Sequence, residues 1–337
     1  MKHHYSYKER LRKQTYSQSG KIDKGIIVHE ALESALKAYH NTGYTINLDD
    51  IYRIIDDKVD QYAESNRPEP VGFETEDGLV VSDNSAILAE WDETVSTARQ
   101  IAKRTIKYLD VPANWRTEEI TWNGETVPLI EFRFEYPLVE DRNIAGKFDW
   151  VARNIKDGFT YLIDWKTRAK FTGDFEIAGE DMNLQLSIYQ YVLSSMGIET
   201  SGTITYQIRS SIPSVPEKTK NGHISKAKIT TDYDTYMAAL VENQEELSDY
   251  LEVLERIQDD EYWWLPLTIY RDKLELASRW DTVQKITRLM IATTDPIKFE
   301  SPRCAFCPFF RLCLGEDRGI DPRILKESAY VVSDNHK

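Results

Sequence analysis

GKFDWVARNIKDGFTYLIDWKT, residues 146–167, decides how this chain is read. Two β-prone runs flank Asn154-Ile155-Lys156-Asp157-Gly158, a tight-turn signal, so the stretch predicts an antiparallel hairpin. Its strands carry Asp149 and Asp164, a residue type depleted in sheets, and the second ends on Lys166. A two-residue turn at Lys156-Asp157 sets Asp149 opposite Asp164; one at Asp157-Gly158 sets Asp149 opposite Lys166. Either puts Asp149, Asp164 and Lys166 on one face and Phe148, Trp150, Ile163 and Trp165 on the other, whereas a three-residue loop breaks the relation. Two carboxylates beside a lysine suit a hard divalent cation such as Mg2+ or Mn2+. The ion offsets their repulsion, polarises a phosphoryl oxygen and lowers the pKa of a bound water. The plainer alternative is an exposed hairpin face with a cross-strand Asp–Lys pair.

Outward from the hairpin, GIIVHEALESALKAYH (25–40) has apolar residues at helical spacing, and further helices are expected at about 47–64 and 84–109, together forming a helical lobe. SNRPEPVGFETEDGL, rich in Pro, Gly and acid, connects the last two. From about 118 the pattern turns to strands, with Asn123-Gly124 marking an earlier hairpin. GEDMNLQLSIYQYVLSSMG predicts a helix stopped by Gly197, and GTITYQIRS a strand. Two long helices are expected at 232–260 and 271–291, separated by the aromatic EYWWLPL.

The 337 residues, 41% hydrophobic and 29% charged, suit a soluble globular protein. No apolar run approaches a membrane span, and MKHHYSYKERLRKQ lacks the apolar core of a secretory signal, so a cytoplasmic location is the expectation. A net charge of -14 argues against coating nucleic acid by bulk charge, but leaves room for a local basic track. Residues 1–24 hold seven basic side chains against Glu9 and Asp23, and the loop-like 215–228 is basic too; either could equally be a solvated surface. No GxxxxGK[ST] phosphate loop is present, which excludes a motor driven by that motif.

Two further segments bear on the hairpin. His29 lies on the first turns of the helix that follows Gly25, and Gln185 and Tyr189 share a helix face. In chain order, GIIVHEALE (25–33), GKFD (146–149), DWK (164–166) and QLSIY (185–189) resemble the PD-(D/E)xK nuclease superfamily, and within it the RecB-like exonuclease group with AddB nuclease domains and CRISPR-associated nucleases. The resemblance runs from about residue 25 to 210 and resumes at the cysteines. It implies an α/β (α+β) fold with a restriction-endonuclease-like core, a central mixed β-sheet flanked by helices, with helical insertions. One nuclease domain is expected over 25–325, with a basic segment at 1–24, a helical insertion at about 41–117, a cysteine motif at 304–313 and a loose tail at 326–337.

The resemblance also implies roles. His29, Asp149, Asp164 and the backbone carbonyl of Trp165 would hold Mg2+ or Mn2+, Lys166 would be the catalytic lysine, and Gln185 and Tyr189 would position the substrate strand or the site's network. Glu135, on the preceding strand, is a weaker candidate for a second-metal or water contact. The implied activity is phosphodiester hydrolysis by an exonuclease on single-stranded DNA or DNA ends, in recombination, repair or phage DNA metabolism. Partners in keeping with it are a helicase, an annealing protein or an integration complex. Rival readings are a non-catalytic DNA-end-binding or assembly subunit, and an endonuclease on the same scaffold.

All three cysteines fall in RCAFCPFFRLC: Cys304, Cys307 and Cys313. An odd, clustered set without a secretory signal fits metal ligation better than disulfides. In the resembling group such a trio joins a fourth cysteine near the N-terminus to hold a [4Fe–4S] cluster, and this chain has no fourth. Three readings stay open: a cluster with a non-cysteine ligand, Zn2+ held by three thiolates and another donor, or three packed thiols without metal.

Overall fold

The apolar stripe of the first helix organises the molecule. Ile27, Val28, Ala31, Leu32, Ala35, Leu36 and Tyr39 recur at helical spacing and are all buried, on a helix that spans Gly20–Asn41 (α1). The computed structural model describes residues 11–13, 20–68, 72–75, 78–81, 85–171, 174–227, 230–258, 262–293, 304 and 307–332. The chain divides into two compact units, Gly20–Thr282 and the paired ends Met1–Ser19 and Val283–Lys337.

In the larger unit, α1 is followed by α2 (Leu48–Ser65) and α3 (Ser85–Leu109). A mixed six-stranded sheet comes next: β1 (Trp115–Thr117), β2 (Ile130–Val139), β3 (Arg142–Asn154), β4 (Thr160–Arg168), β5 (Gly202–Arg209) and β6 (Trp264–Ile269). The order is β6-β5-β4-β3, with β1 and β2 both paired to β3. Only β4 and β5 are parallel, and their crossover carries α4 (Asp174–Asp181) and α5 (Leu184–Ser195). The expected mixed sheet flanked by helices is thus the observed fold.

The helices do not form a lobe of their own. Ile51 and Ile55 of α2 and Ile101 and Ile106 of α3 belong to the same core as Trp150, Trp165 and Tyr206 of the sheet. Long apolar helix faces next to the broad aromatic face of the sheet bury more area together than apart. A second expectation also fails, since residues 232–260 are not one helix. The chain forms α6 (Tyr233–Glu242), stops at Gln244 with φ +54°, and resumes as α7 (Leu251–Ile257). The aromatic run after it is no spacer but supplies edge strand β6, where Pro266 is tolerated. A final helix in this series, α8, spans Lys273–Ala292.

In the smaller unit, Leu11–Lys13 pairs antiparallel with Tyr330–Val332, and helices span Phe310–Asp317 and Pro322–Ala329. Residues 326–332 of the expected loose tail are therefore helix and strand. Tyr330 is buried, stacks on Phe309 and donates its hydroxyl to the Pro308 carbonyl at 2.9 Å. The remaining tail residues, 333–337, lie outside the described residues, as do 1–10 and 14–19 of the basic N-terminal segment. Its last residues, 20–24, already belong to α1.

Candidate active site

The register of the quoted hairpin follows the first of the two expected arrangements. Trp150 pairs with Ile163, Val151 with Leu162 and Ala152 with Tyr161, the frame that sets Asp149 across from Asp164. The connection is longer than expected, however. Asn154 and Phe159 close a four-residue loop, with Gly158 at φ +75° and the Asn154 side chain accepting from the Lys156 N–H at 2.8 Å. An even loop length preserves the face relation, so Trp150 and Trp165 stack in the core at 6.1 Å while the acidic residues turn the other way.

Helix α1 meets this face at the end of β4. His29 Nε2 lies 3.2 Å from the Trp165 carbonyl oxygen, and the Trp165 N–H donates to Asp149 Oδ2 at 2.9 Å. The approach is close because residue 25 is glycine, where a Cβ would come to 3.1 Å from Thr167 Oγ1. Lys166 Nζ sits 2.9 Å from Asp164. One helix and one hairpin thus bring His29, Asp149 and the Trp165 carbonyl together, while Asp164 holds Lys166.

Gln185 and Tyr189, on α5, form the adjoining wall. Asn183 caps that helix by accepting from the Gln185 N–H. Gln185 Nε2 donates to the Tyr189 hydroxyl at 3.0 Å, and the Lys147 N–H approaches the same oxygen at 3.5 Å. The Tyr189 ring stands edge-on to Phe134 and Phe148. Gly146 makes room for it: a Cβ there would lie 2.6 Å from the Phe134 ring and 2.8 Å from Tyr189. Arg271, buried just ahead of α8, donates to Gln190, Thr203 and the carbonyls of Glu180 and Asp181, which locks α4 and α5 to the sheet.

Glu135 does not join the site; its carboxylate accepts from Asn143 at 2.8 Å on an exposed stretch of β2. Glu131, four residues earlier on the same strand, stands beside His29 and Asp149 instead. Its side chain is 4% exposed, stands 3.6 Å from His29 Nδ1 and forms an ion pair with Lys147. Asp149 Oδ2 is 3.7 Å from the same imidazole nitrogen. The pairing of β2 with β3 shifts by one residue between Pro137 and Val139, and this bulge brings Glu131 to the face of Asp149. Glu131 itself has φ +50°.

Burial shapes the charges. It pushes the Asp149 carboxyl up, with repulsion from Asp164 adding to it, to about 6. Asp164 is likewise raised, because desolvation exceeds the help from Lys166. Burial disfavours the charged forms of His29 and Lys166, but their carboxylate neighbours outweigh it and raise both. Glu131 is lowered, since its contacts with His29 and Lys147 overcome its desolvation. The site therefore concentrates carboxylates that repel one another at neutral pH, beside a fixed ammonium.

Among the described residues, one ligand atom each from His29, Glu131 and Asp149 lies within 4.8 Å of the others. Carboxylate oxygens, an imidazole nitrogen and a backbone carbonyl form a donor set that fits Mg2+ or Mn2+. The group opens on a cleft of about 400 Å³ lined by Gly25, His29, Glu33, Glu131, Lys147 and Thr167. The cysteines make no comparable set. Among the described residues they form no disulfide and no close three-donor group, and Cys307 packs against Phe309, Leu312 and Tyr330. Three thiols fall one short of the four thiolates that a [4Fe–4S] cluster takes.

A mixed sheet with a metal-fitting acidic hairpin and a lysine at its strand end defines a restriction-endonuclease-like hydrolase core. The family model of the PD-(D/E)XK nuclease superfamily matches residues 1–314, and the chain belongs to that superfamily. Membership supports a metal-dependent nuclease, in a superfamily that acts on DNA and typically uses Mg2+ or Mn2+. No curated protein matches the chain.

Proposed function

We propose that the protein is a RecB-like exonuclease that hydrolyses phosphodiester bonds in single-stranded DNA or at duplex ends. The observation that carries this reading is the 3.2 Å approach of His29 Nε2 to the Trp165 carbonyl, which joins the helix motif to the hairpin motif at one point. In this reading His29, Asp149, Asp164 and the Trp165 carbonyl hold the divalent cation. When bound, the cation supplies Lewis-acid polarisation of the phosphoryl oxygen and a more acidic water. Lys166, kept in place by Asp164, presents its ammonium to the negative charge that develops on the phosphoryl oxygens. The Gln185–Tyr189 pair fixes the Gly146–Lys147 backbone and so the strand that carries Asp149. Among the described residues no helix is long and apolar enough to cross a membrane.

Linear single strands labelled at the 5′ or the 3′ end, and a single-stranded circle, test the reading in Mn2+ and in EDTA. Exonuclease action releases label from the linear strands only, and only with Mn2+. Cutting of the circle would replace the reading with an endonuclease, and metal-independent end binding without cleavage would replace it with an assembly subunit.

A further inference from the structure

The parallel strands β4 and β5 end side by side, with Lys166 paired to Gln207 and Arg168 to Arg209. Paired residues point to the same face and alternation adds every second one, so Arg209 shares the face of Asp164 and Lys166. Two residues along a strand cover about 6.6 Å, and the next strand lies about 4.8 Å away. The Arg209 backbone therefore stands about 8 Å from that of Lys166, roughly two nucleotides of a strand at about 3.4 Å each.

Around Arg209 the chain builds an aromatic seat. The guanidinium lies over the Tyr262 ring, 3.9 Å from its centroid, and over the Phe171 ring at 4.9 Å. Nε donates to the Tyr262 carbonyl at 2.8 Å, and a terminal nitrogen to the Ala169 carbonyl at 3.1 Å. The Arg209 N–H donates to the carbonyl of buried Trp263, whose ring meets that of Tyr262 at 78°. Tyr262 is nevertheless 45% exposed. A ring fixed from one side and open elsewhere loses little freedom when another flat group stacks on it.

Charge selects the occupant. The donors of Arg209 go to carbonyls, and Lys24 donates to the Ser210 carbonyl at 3.1 Å; among the described residues neither pairs with a carboxylate. Lys170, next to Phe171, is exposed. In a chain of net charge -14, this strand end is locally cationic. A flat group carried on a polyanion answers both features. We propose that Tyr262, backed by Arg209 and Phe171, is a stacking site for an unpaired base of single-stranded DNA. The proposal rests on the nuclease reading for the polymer it names. The competing explanation is structural: the cluster only ties the ends of β4 and β5 to the approach to β6. The two diverge on a strand that lacks bases.

Fluorescence anisotropy in EDTA compares a labelled oligothymidylate with an abasic strand of equal length, each bound to the full chain. Circular dichroism confirms the fold of each variant. Tyr262→Phe keeps the flat ring and should bind oligothymidylate within twofold of wild type. Tyr262→Ala should bind it at least about fivefold more weakly, the lower end for loss of one base–aromatic stack. Tyr262→Leu keeps bulk without a flat face, so it serves should Tyr262→Ala misfold, and it should weaken binding alike. On the abasic strand both should match wild type, because there is no stack to lose. Oligothymidylate binding within twofold of wild type by both Tyr262→Ala and Tyr262→Leu would overturn the proposal. Equal weakening on the abasic strand would do the same, as would a wild type that binds the two strands equally. If Tyr262-dependent binding holds but Mn2+ releases no label, the nuclease reading falls and the stacking site remains. Mn2+-dependent cleavage with binding indifferent to Tyr262 sinks this proposal alone.

Discussion

Replacing Asp149 with Asn should stabilise the metal-free protein at alkaline pH. The carboxylate is buried, repelled by Asp164, and pushed from the ordinary 3.8 to about 6. A raised folded value means that the proton is bound more tightly in the native state. Its stabilising effect is complete below 3.8 and is lost as pH rises through about 6. At 1.36 kcal/mol per pH unit, the loss at pH 8 is about 3 kcal/mol, which the neutral amide escapes. The amide oxygen can still accept the Trp165 N–H that Asp149 accepts at 2.9 Å. Urea unfolding in EDTA should therefore show Asp149→Asn more stable than wild type by up to about 3 kcal/mol at pH 8, with the gap closing toward pH 4. Mn2+ at a hundred times its dissociation constant should add about 2.7 kcal/mol to the wild type and little to the variant. A variant less stable than wild type at pH 8 in EDTA, by an amount that pH does not change, would refute the electrostatic account.

Other substitutions probe the supports of the site. Gly146→Ala forces a methyl into the Phe134 and Tyr189 rings and should cost about 1–3 kcal/mol in urea unfolding, with loss of Mn2+-dependent cleavage. Tyr189→Phe removes the hydroxyl that joins Gln185 to the Lys147 N–H; it should lower the cleavage rate while costing only about 1 kcal/mol of stability. Arg271→Ala strands the carbonyls of Glu180 and Asp181 and should destabilise the fold by about 3 kcal/mol or more, read as a lower urea midpoint.

Much of the site was legible because its residues sit on elements with strong local signals. The Asn154–Gly158 turn confined the hairpin to a few registers, and an even loop kept Asp149, Asp164 and Lys166 in relation although its length was misjudged. The apolar stripe of α1 placed His29 on a packed helix, and Gly25 and Gly146 proved to be points of close approach. Glu131 escaped because alternation puts Glu131 and Glu135 on one face of β2, and only the register with β3, which sets position 131 across from Asp149 and Glu135 across from Ala145, tells them apart. Glu135, the residue chosen in its place, lies four residues further along the strand, about 13 Å away. Strand β6 was hidden by Pro266 within an aromatic run, a combination that only an edge position reconciles.

The central claim is that Asp164 and Lys166 at the end of β4 carry out metal-dependent DNA hydrolysis. Its most direct test is the cleavage rate of end-labelled single-stranded DNA in Mn2+ by wild type, Asp164→Asn and Lys166→Ala, each verified as folded. The account predicts Mn2+-dependent release of label by wild type and a loss of at least about a hundredfold, the scale of a single electrostatic catalytic group, in both variants. Wild-type rates from either folded variant would contradict it.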